Sequence, residues 1–432
     1  MKTFNIVVLG VFIFLAVAGV LVFSGFGGFG RNSNQIGRVV VWGTLQSPIM
    51  ESLFTSIRDE RDDFSGVSYV EKDPRTYDRD LVEAIAAGKG PDLFLLEQDH
   101  ILSLQDKVLR IPYANFSERA FKDSFIEEGE LYLGAEGSIG LPFTVDPLVM
   151  YWNRDIFAAT GIANPPKFWD EFLTLAPKLT KRTAANTIER SAAPLGEYSN
   201  NPSAKALLAT LFMQAGTPIV APTDDGVLHS VLDDRLNLPL PPAEAVLNFF
   251  TEFSNPSKAA YSWNRALPNA RDMFTAGDLA LYFGFASELP QIRNANVNLN
   301  FDVAQLPQVR DAKSAAVYGR MNALSIPKGA LNVQGAANAA LVLTSVDTLQ
   351  KLGEVAVLPP VSRALLQTPP SESYKNVFYL SALIARAWFD PNAERTDAIF
   401  KTLVEDVTSG RARLSDAVAN ASRDLENLLQ GR

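Results

Sequence analysis

The run over residues 140–180 constrains this chain more than any other. It reads GLPFTVDPLVMYWNRDIFAATGIANPPKFWDEFLTLAPKLT. Leu148, Val149, Met150, Tyr151 and Trp152 follow Pro147 with no polar interruption, which predicts a buried strand. Asn153 and Asp155 then open a short helix over 156–160 that stops at Gly161. After Pro165-Pro166, the spacing of Trp169, Phe172, Leu173, Ala176 and Leu179 predicts a second helix with one apolar face. The polar turn Thr144-Val145-Asp146 sits directly before the buried strand. An acid therefore stands where the chain can pass from one lobe to another.

A length of 432 residues is enough for two or more lobes, each with its own core. The net charge of −9 argues against nucleic acid as a partner, because phosphate binding needs clustered Lys and Arg. With no Cys there is no disulfide, no thiolate metal site and no thiol to carry a lipid anchor. Residues 4–23 are almost entirely apolar and uncharged, about the 20 residues needed to span a bilayer. They are read as an uncleaved single-pass anchor, because the apolar run continues past the small-residue site Ala16-Val17-Ala18 that a signal peptidase would use. A cleaved signal peptide is the alternative. Lys2 and Arg31 give only a weak orientation signal. Residues 25–30, GFGGFG, match a dinucleotide-binding pattern in letters but lack its strand–helix context. They read as a linker.

From Arg38 the pattern is strand, helix, strand, helix, strand. Strands are expected at 38–42, around 68–70 and at 93–96. Ser47 is expected to cap a helix with Pro48 in its first turn. Tyr77, Leu81 and Ile85 mark the next helix, which ends at Gly88. Such alternation implies a parallel sheet covered on both faces, with ligands at the carboxyl ends of its strands. Further on, strands are expected at 279–284, 301–304 and 319–327, and the chain closes in helices around Ile399–Val407 and Leu414–Leu428, separated by Gly410.

Three of these runs resemble the family 1 extracellular solute-binding proteins, the maltose-binding-protein-like subunits of ABC importers. The first is carried by Leu141-Pro142-Phe143, Tyr151-Trp152-Asn153, Arg154-Asp155-Ile156-Phe157, Gly161, Pro165-Pro166, Trp169-Asp170-Glu171-Phe172 and Leu179-Thr180. Phe168 departs from it, standing where the family has a helix-capping Thr, so that helix must be capped otherwise. The second is AIAAGKGPDLFLLE, residues 84–97, and the third is the Phe274–Leu281 stretch with Gly277 and Ala280. The resemblance implies an α/β, two-lobed periplasmic-binding-protein-like fold of type II, here with an N-terminal transmembrane helix. It implies capture of a small solute, a sugar by preference, for ABC transporter permease subunits. The soluble part would lie outside the cytoplasm, tethered to the cell membrane. No cofactor, metal or catalytic group is implied. One alternative is a tethered receptor of the same fold for signalling or cell-wall glycan binding. Another is an enzyme acting on glycans through two carboxylates; the two histidines, His100 and His229, sit in no catalytic motif.

The lobes are expected at 38–143 with 285–315, and at 146–283 with 316–432, after an anchor and linker over 1–37. A sugar offers an apolar ring face and a polar rim, so a cleft for it needs aromatics beside Asp, Glu, Asn, Gln and Arg. The candidate aromatics are Trp42, Trp263, Phe285 and Trp388. The candidate polar residues are Thr44, Gln46, Glu97, Asp99, Asp146, Ser287, Arg320 and Asn322. By the resemblance, Thr44, Gln46, Asp99 and Asp146 align with cleft positions of maltose-binding relatives, whereas Leu96 replaces a stacking Trp. Asp146 and Trp263 are expected to face one cavity from opposite sides.

Overall fold

The structure, a computed structural model, describes residues 36–431 except 311 and 313. The expected span at 4–23 and its linker lie outside the described residues. Among the described residues no helix is long and apolar enough to cross a membrane.

A nine-stranded sheet forms the frame. Its strands are β1 (Val39–Gly43), β2 (Val67–Glu71), β3 (Leu93–Glu97), β4 (Val108–Leu109), β5 (Leu141–Asn153), β6 (Leu281–Phe285), β7 (Phe301–Ala304), β8 (Val317–Pro327) and β9 (Ala385–Arg386). The order along it is β6-β5-β8-β3-β1-β2, with β7 on β5, and with β4 and β9 on β8. As the alternation predicted, β1 runs parallel to both β2 and β3. The helices between them, α1 (Ser47–Glu60) and α2 (Tyr77–Ala86), bury Met50, Leu53, Phe54 and Ile57, and Tyr77 and Leu81. Ser47 does not cap α1. Gln46 holds that position without a side-chain bond, and the Ser47 amide instead donates to Glu71.

Strand β5 is longer than the sequence suggested. Its first half pairs with β8 and its second half with β6 and β7. In the second half, Leu148 and Met150 point into one core while Val149 and Tyr151 point into another. Burial of both faces explains the unbroken apolar run. Asn153 ends the strand and caps α3 (Arg154–Ala159), its side chain accepting from the amides of Asp155 and Ile156. Gly161 supplies the left-handed turn that follows, at φ 71°. Phe168 offers no side-chain cap, and its place is taken by the backbone. The Trp169 amide donates to the Gln308 carbonyl, and the Gln308 amide to Lys167.

The buried residues fall into two main bodies. One core holds Val39 to Val145 and then Met321 to Ala385. The other holds Leu148 to Tyr318 and then Trp388 to Leu425. The chain therefore changes lobe three times, each time within three residues: Val145 to Leu148, Tyr318 to Met321, and Ala385 to Trp388. The three passages lie side by side, since Pro147 pairs with Gly319, and Val317 with Ala385.

This packing corrects the expected boundaries. Residues 285–315 were assigned to the first lobe, but Leu289, Ile292 and Val303 pack with Val149 and Tyr151 of β5. Residues from 316 onward are expected in the second lobe, but the buried residues from Met321 to Ala385 close the first, except Phe378, which packs with Val149 and Tyr151. The cause is β6: the expected boundary at 283/285 makes it a crossing between lobes, but it stays in the second. It is an antiparallel neighbour of β5, matching Leu281–Phe285 to Trp152–Leu148.

Phe283 of β6 meets Trp169 and Phe172 at ring-centroid distances of 5.6 and 6.0 Å. Phe283→Ala should lower stability to urea by about 3–5 kcal/mol. Leu173→Ala, whose side chain is exposed, should change it by less than about 0.5 kcal/mol.

Candidate functional site

The first and second passages carry the polar residues into one surface. Residues paired across a sheet project to the same side. The register sets Glu97 of β3 beside Asn322 of β8, and Asn322 beside Thr144 of β5. One step along, Arg320 pairs with Asp146. Asn322 reaches Thr144 Oγ1 at 3.4 Å. Glu97, Asp146 and Asn322 are half-buried and Arg320 is exposed.

Asp146 is held from the second lobe. Its carboxylate accepts from the Ser287 amide at 2.9 Å and from the Ser287 hydroxyl at 2.6 Å. Burial raises the pKa of Asp146, while the Arg320 charge and the two Ser287 bonds oppose that rise. Arg320 sits over Phe285, its guanidinium carbon 3.3 Å from the ring centroid. Phe285 also meets Tyr318 edge-on at 6.4 Å. Burial, then the neighbouring Asp99 charge, raises the pKa of Glu97, and Arg320 and His100 oppose it. His100 pairs through Nδ1 with Asp78 at 3.0 Å.

Two residues not singled out in the sequence tie the surface to the passage. The Gln98 amide group donates to the Gly319 carbonyl at 3.2 Å and to the Tyr318 hydroxyl at 3.1 Å, and accepts from the Met321 amide at 2.6 Å. Tyr318 donates to Asp99 at 2.8 Å. Gln98 thus occupies the place of a missing ladder partner beside β8. Nothing in a single sequence marks a glutamine for that task; only its position directly after a buried strand hints at it.

Of the expected residues, Glu97, Asp99, Asp146, Phe285, Ser287, Arg320 and Asn322 converge here. Thr44 and Gln46 lie in the loop at the carboxyl end of β1, which runs parallel to β3, the strand that ends in Glu97. Trp263 and Trp388 are corrections, whereas Trp42 is half-buried at the carboxyl end of β1. Trp42 pairs with Phe94, on the face opposite to Leu95 and Glu97, and Lys72 covers its ring at 3.5 Å. Trp263 is 0% exposed, buried with Phe274 and Tyr282, and its indole donates to Asn200 at 2.9 Å. It shares no cavity with Asp146. Its polar neighbours signalled a loop, but that loop folds inward because Asn200 satisfies the indole N–H. Trp388 is 3% exposed and stacks on Phe400 at 6.0 Å, within the second-lobe core.

A separate groove of about 720 Å³ lies between the lobes beside the third passage, lined by Ile101, Arg110, Leu133, Val227, Phe389 and Leu428 among others. None of the expected site residues lines it, and no acid does. Among the described residues, no group of three or more His, Asp or Glu side chains is placed to hold a metal ion.

Residues 59–378 match the family model described as bacterial extracellular solute-binding protein. The chain belongs to that family. A stretch of 107 residues, 23% of this chain, is 30% identical to putative binding proteins of Brucella abortus and Brucella suis, and it spans about a quarter (24%) of their length. Solved structures of the same fold include a solute-binding protein of Thermotoga lettingae bound to α-D-tagatose, with a TM-score of 0.65 at 22% identity, covering 91% of this chain and 100% of that one. A cyclo/maltodextrin-binding protein holding maltotetraose has a TM-score of 0.73 at 17% identity, covering 93% and 99%. The cyclic α-maltosyl-1,6-maltose-binding protein of Arthrobacter globiformis has a TM-score of 0.73 at 15% identity, covering 91% and 99%. These solute-binding neighbours agree with the two-lobed α/β architecture seen here.

Ser287→Ala removes the hydroxyl that lowers the Asp146 pKa, so the carboxyl should titrate at a higher pH than in the wild type. Carbon-13 NMR of the side-chain carboxyls reads this directly. Trp263→Phe should cost about 1 kcal/mol through the lost indole bond and leave the Asp146 titration unchanged.

Proposed function

We propose that this solute-binding protein captures a carbohydrate between its lobes, on the surface formed by Glu97, Asp146, Ser287, Phe285, Arg320 and Asn322. The observation that carries the reading is the convergence of donors and acceptors from three adjacent strands beside one aromatic ring. Arg320 supplies N–H donors, and Glu97 and Asp146 accept from hydroxyls. The Phe285 ring gives an apolar face, which Arg320 covers here and which a sugar would share or take over. The tagatose, maltotetraose and maltosyl-maltose bound by structural neighbours support a saccharide as the class. Asp99 acts one layer back, through Tyr318.

The lobes close by bending at the three adjacent passages, which is the motion open to two bodies joined by a few neighbouring strands. The loaded protein then delivers its solute to ABC transporter permease subunits outside the cytoplasm. Residues 4–23 tether it to the membrane, since the chain has no Cys to carry a lipid. It acts as a binding protein, not as an enzyme.

A thermal-shift screen of the full-length chain against mono- and oligosaccharides, polyols and phosphorylated glycerols tests the reading; a saccharide should raise Tm. With that saccharide, Asp146→Asn and Arg320→Ala should each weaken calorimetric affinity by about 1–3 kcal/mol, because each leaves ligand hydroxyls unpaired in a partly dry site. Trp263→Phe should leave affinity at the wild-type value. Unchanged affinity in both cleft variants would move the site elsewhere.

A further inference from the structure

Glu128 sits in the turn Glu127–Tyr132 and is 2% exposed. Neither of its carboxyl oxygens has a hydrogen-bond partner. The other buried acids are satisfied. Asp92 accepts from the amides of Val40 and Asn332, Asp390 from Lys205 and Thr396, and Glu197 from Arg265. Glu128 lies directly beneath the second passage. A Cβ on Gly319 would stand 2.4 Å from Oε2 and 2.9 Å from Oε1, so the Glu128 carboxyl fills the space directly against β8 and a larger residue at 319 would have to displace it. Gly319 stands between Tyr318 and Arg320, and its carbonyl is the one Gln98 bonds.

The charged and titratable groups around it come from four elements. From β9 comes Arg386, whose guanidinium is bonded to Glu127. From the turn after β3 comes Asp99, already accepting from Tyr318. From its own turn comes Tyr132, whose hydroxyl is spent on the carbonyls of Leu96 and Met321. Glu130 of that turn faces outward to Lys122. From β8 come Tyr318 and the exposed Arg320 on either side of Gly319. None of these donates to Glu128. An unpaired carboxylate in so dry a place costs far more than the neutral acid. Burial pushes Glu128 up to about 8, with the Asp99 charge adding and Arg386 opposing.

We propose that Glu128 is a proton-dependent positioning residue for the cleft: as the neutral acid it lets β8 seat at Gly319, and its ionisation unseats the strand together with Tyr318 and Arg320. The consequence for ligand capture rests on the carbohydrate reading above; the seating of β8 does not. The sign follows from linkage. With β8 lifted and water at the carboxyl, the proton leaves near the ordinary value of 4.5, whereas the seated arrangement keeps it to about 8. Between those values the seated state holds one more proton. Seating therefore weakens as pH rises through that window and levels off above about 8.

The test needs no ligand. Amide exchange over 317–322 is followed in the full-length chain from pH 6 to 9, corrected for intrinsic rates, with 148–152 of β5 as the internal reference. In the wild type, protection of 317–322 should fall by up to about tenfold per pH unit between 6 and 8 and then flatten, relative to the reference. Glu128→Gln and Glu128→Leu, which cannot ionise, should hold a flat profile. A flat wild-type profile, or equal slopes in wild type and variants, would overturn the proposal. A saccharide screen that finds nothing would count against the carbohydrate reading and leave this result standing.

Discussion

The antiparallel pairing of β5 with β8, where both strands leave the first lobe, is the constraint on which the rest depends. Gly319 faces Pro147, Arg320 faces Asp146 and Asn322 faces Thr144. One short ladder therefore does two things. It confines the covalent joints between lobes to a narrow strip, with β9 added along the outer side of β8. It also fixes which side chains from different lobes share a face, because register allows no half-steps. A slip of one residue would turn Arg320 and Asn322 to the far face and bring Met321 to the cleft. Met321 is fully buried in the first-lobe core, so that slip would expose an apolar side chain and bury a charge.

Much of the frame was legible because its cause is local. The parallel order of β1, β2 and β3 follows from strands alternating with amphipathic helices. The strand at 148–152 follows from five apolar residues in a row, and its helix from Asn153. What was not legible is what depends on partners. β6 and a true crossing strand both read as short, fully apolar runs; only the pairing of Phe285 with Leu148 tells that β6 stays in the second lobe. Trp263 sits among polar residues whose partners, Asn200 among them, are some sixty positions away in the chain. Asp146, Arg320 and Asn322 read in the sequence as residues beside the start of a strand, yet they lie inside the long strands β5 and β8, and only Ser287 comes just after a strand end.

The charge pattern of the proposed cleft bears on its ligand. Glu97, Asp99 and Asp146 stand against one exposed Arg320, and His100 is already paired with Asp78. At an effective dielectric of about 20, two unit charges 4 Å apart interact by about 4 kcal/mol. An anionic ligand would gain one such attraction and meet more than one repulsion of similar size. Hydroxyl groups escape that conflict, because each can donate to a carboxylate and accept from a guanidinium. The raised pKa values of Glu97 and Asp146 point the same way: with these acids already short of water, further desolvation is tolerable only if the ligand brings donors.

The same reasoning explains why one acid beneath the passage differs from those in the cleft. Asp146 keeps two donors from Ser287 and an arginine opposite, which oppose the rise that burial gives its pKa. Glu128 has none, and the nearest guanidinium, on Arg386, is engaged by Glu127. A leucine of similar size would fill that space at lower electrostatic cost, so stability alone does not account for a carboxyl there. What a carboxyl adds is a second state. The passage that joins the lobes is thus underlain by a buried group whose charge can change with no donor at hand to offset it.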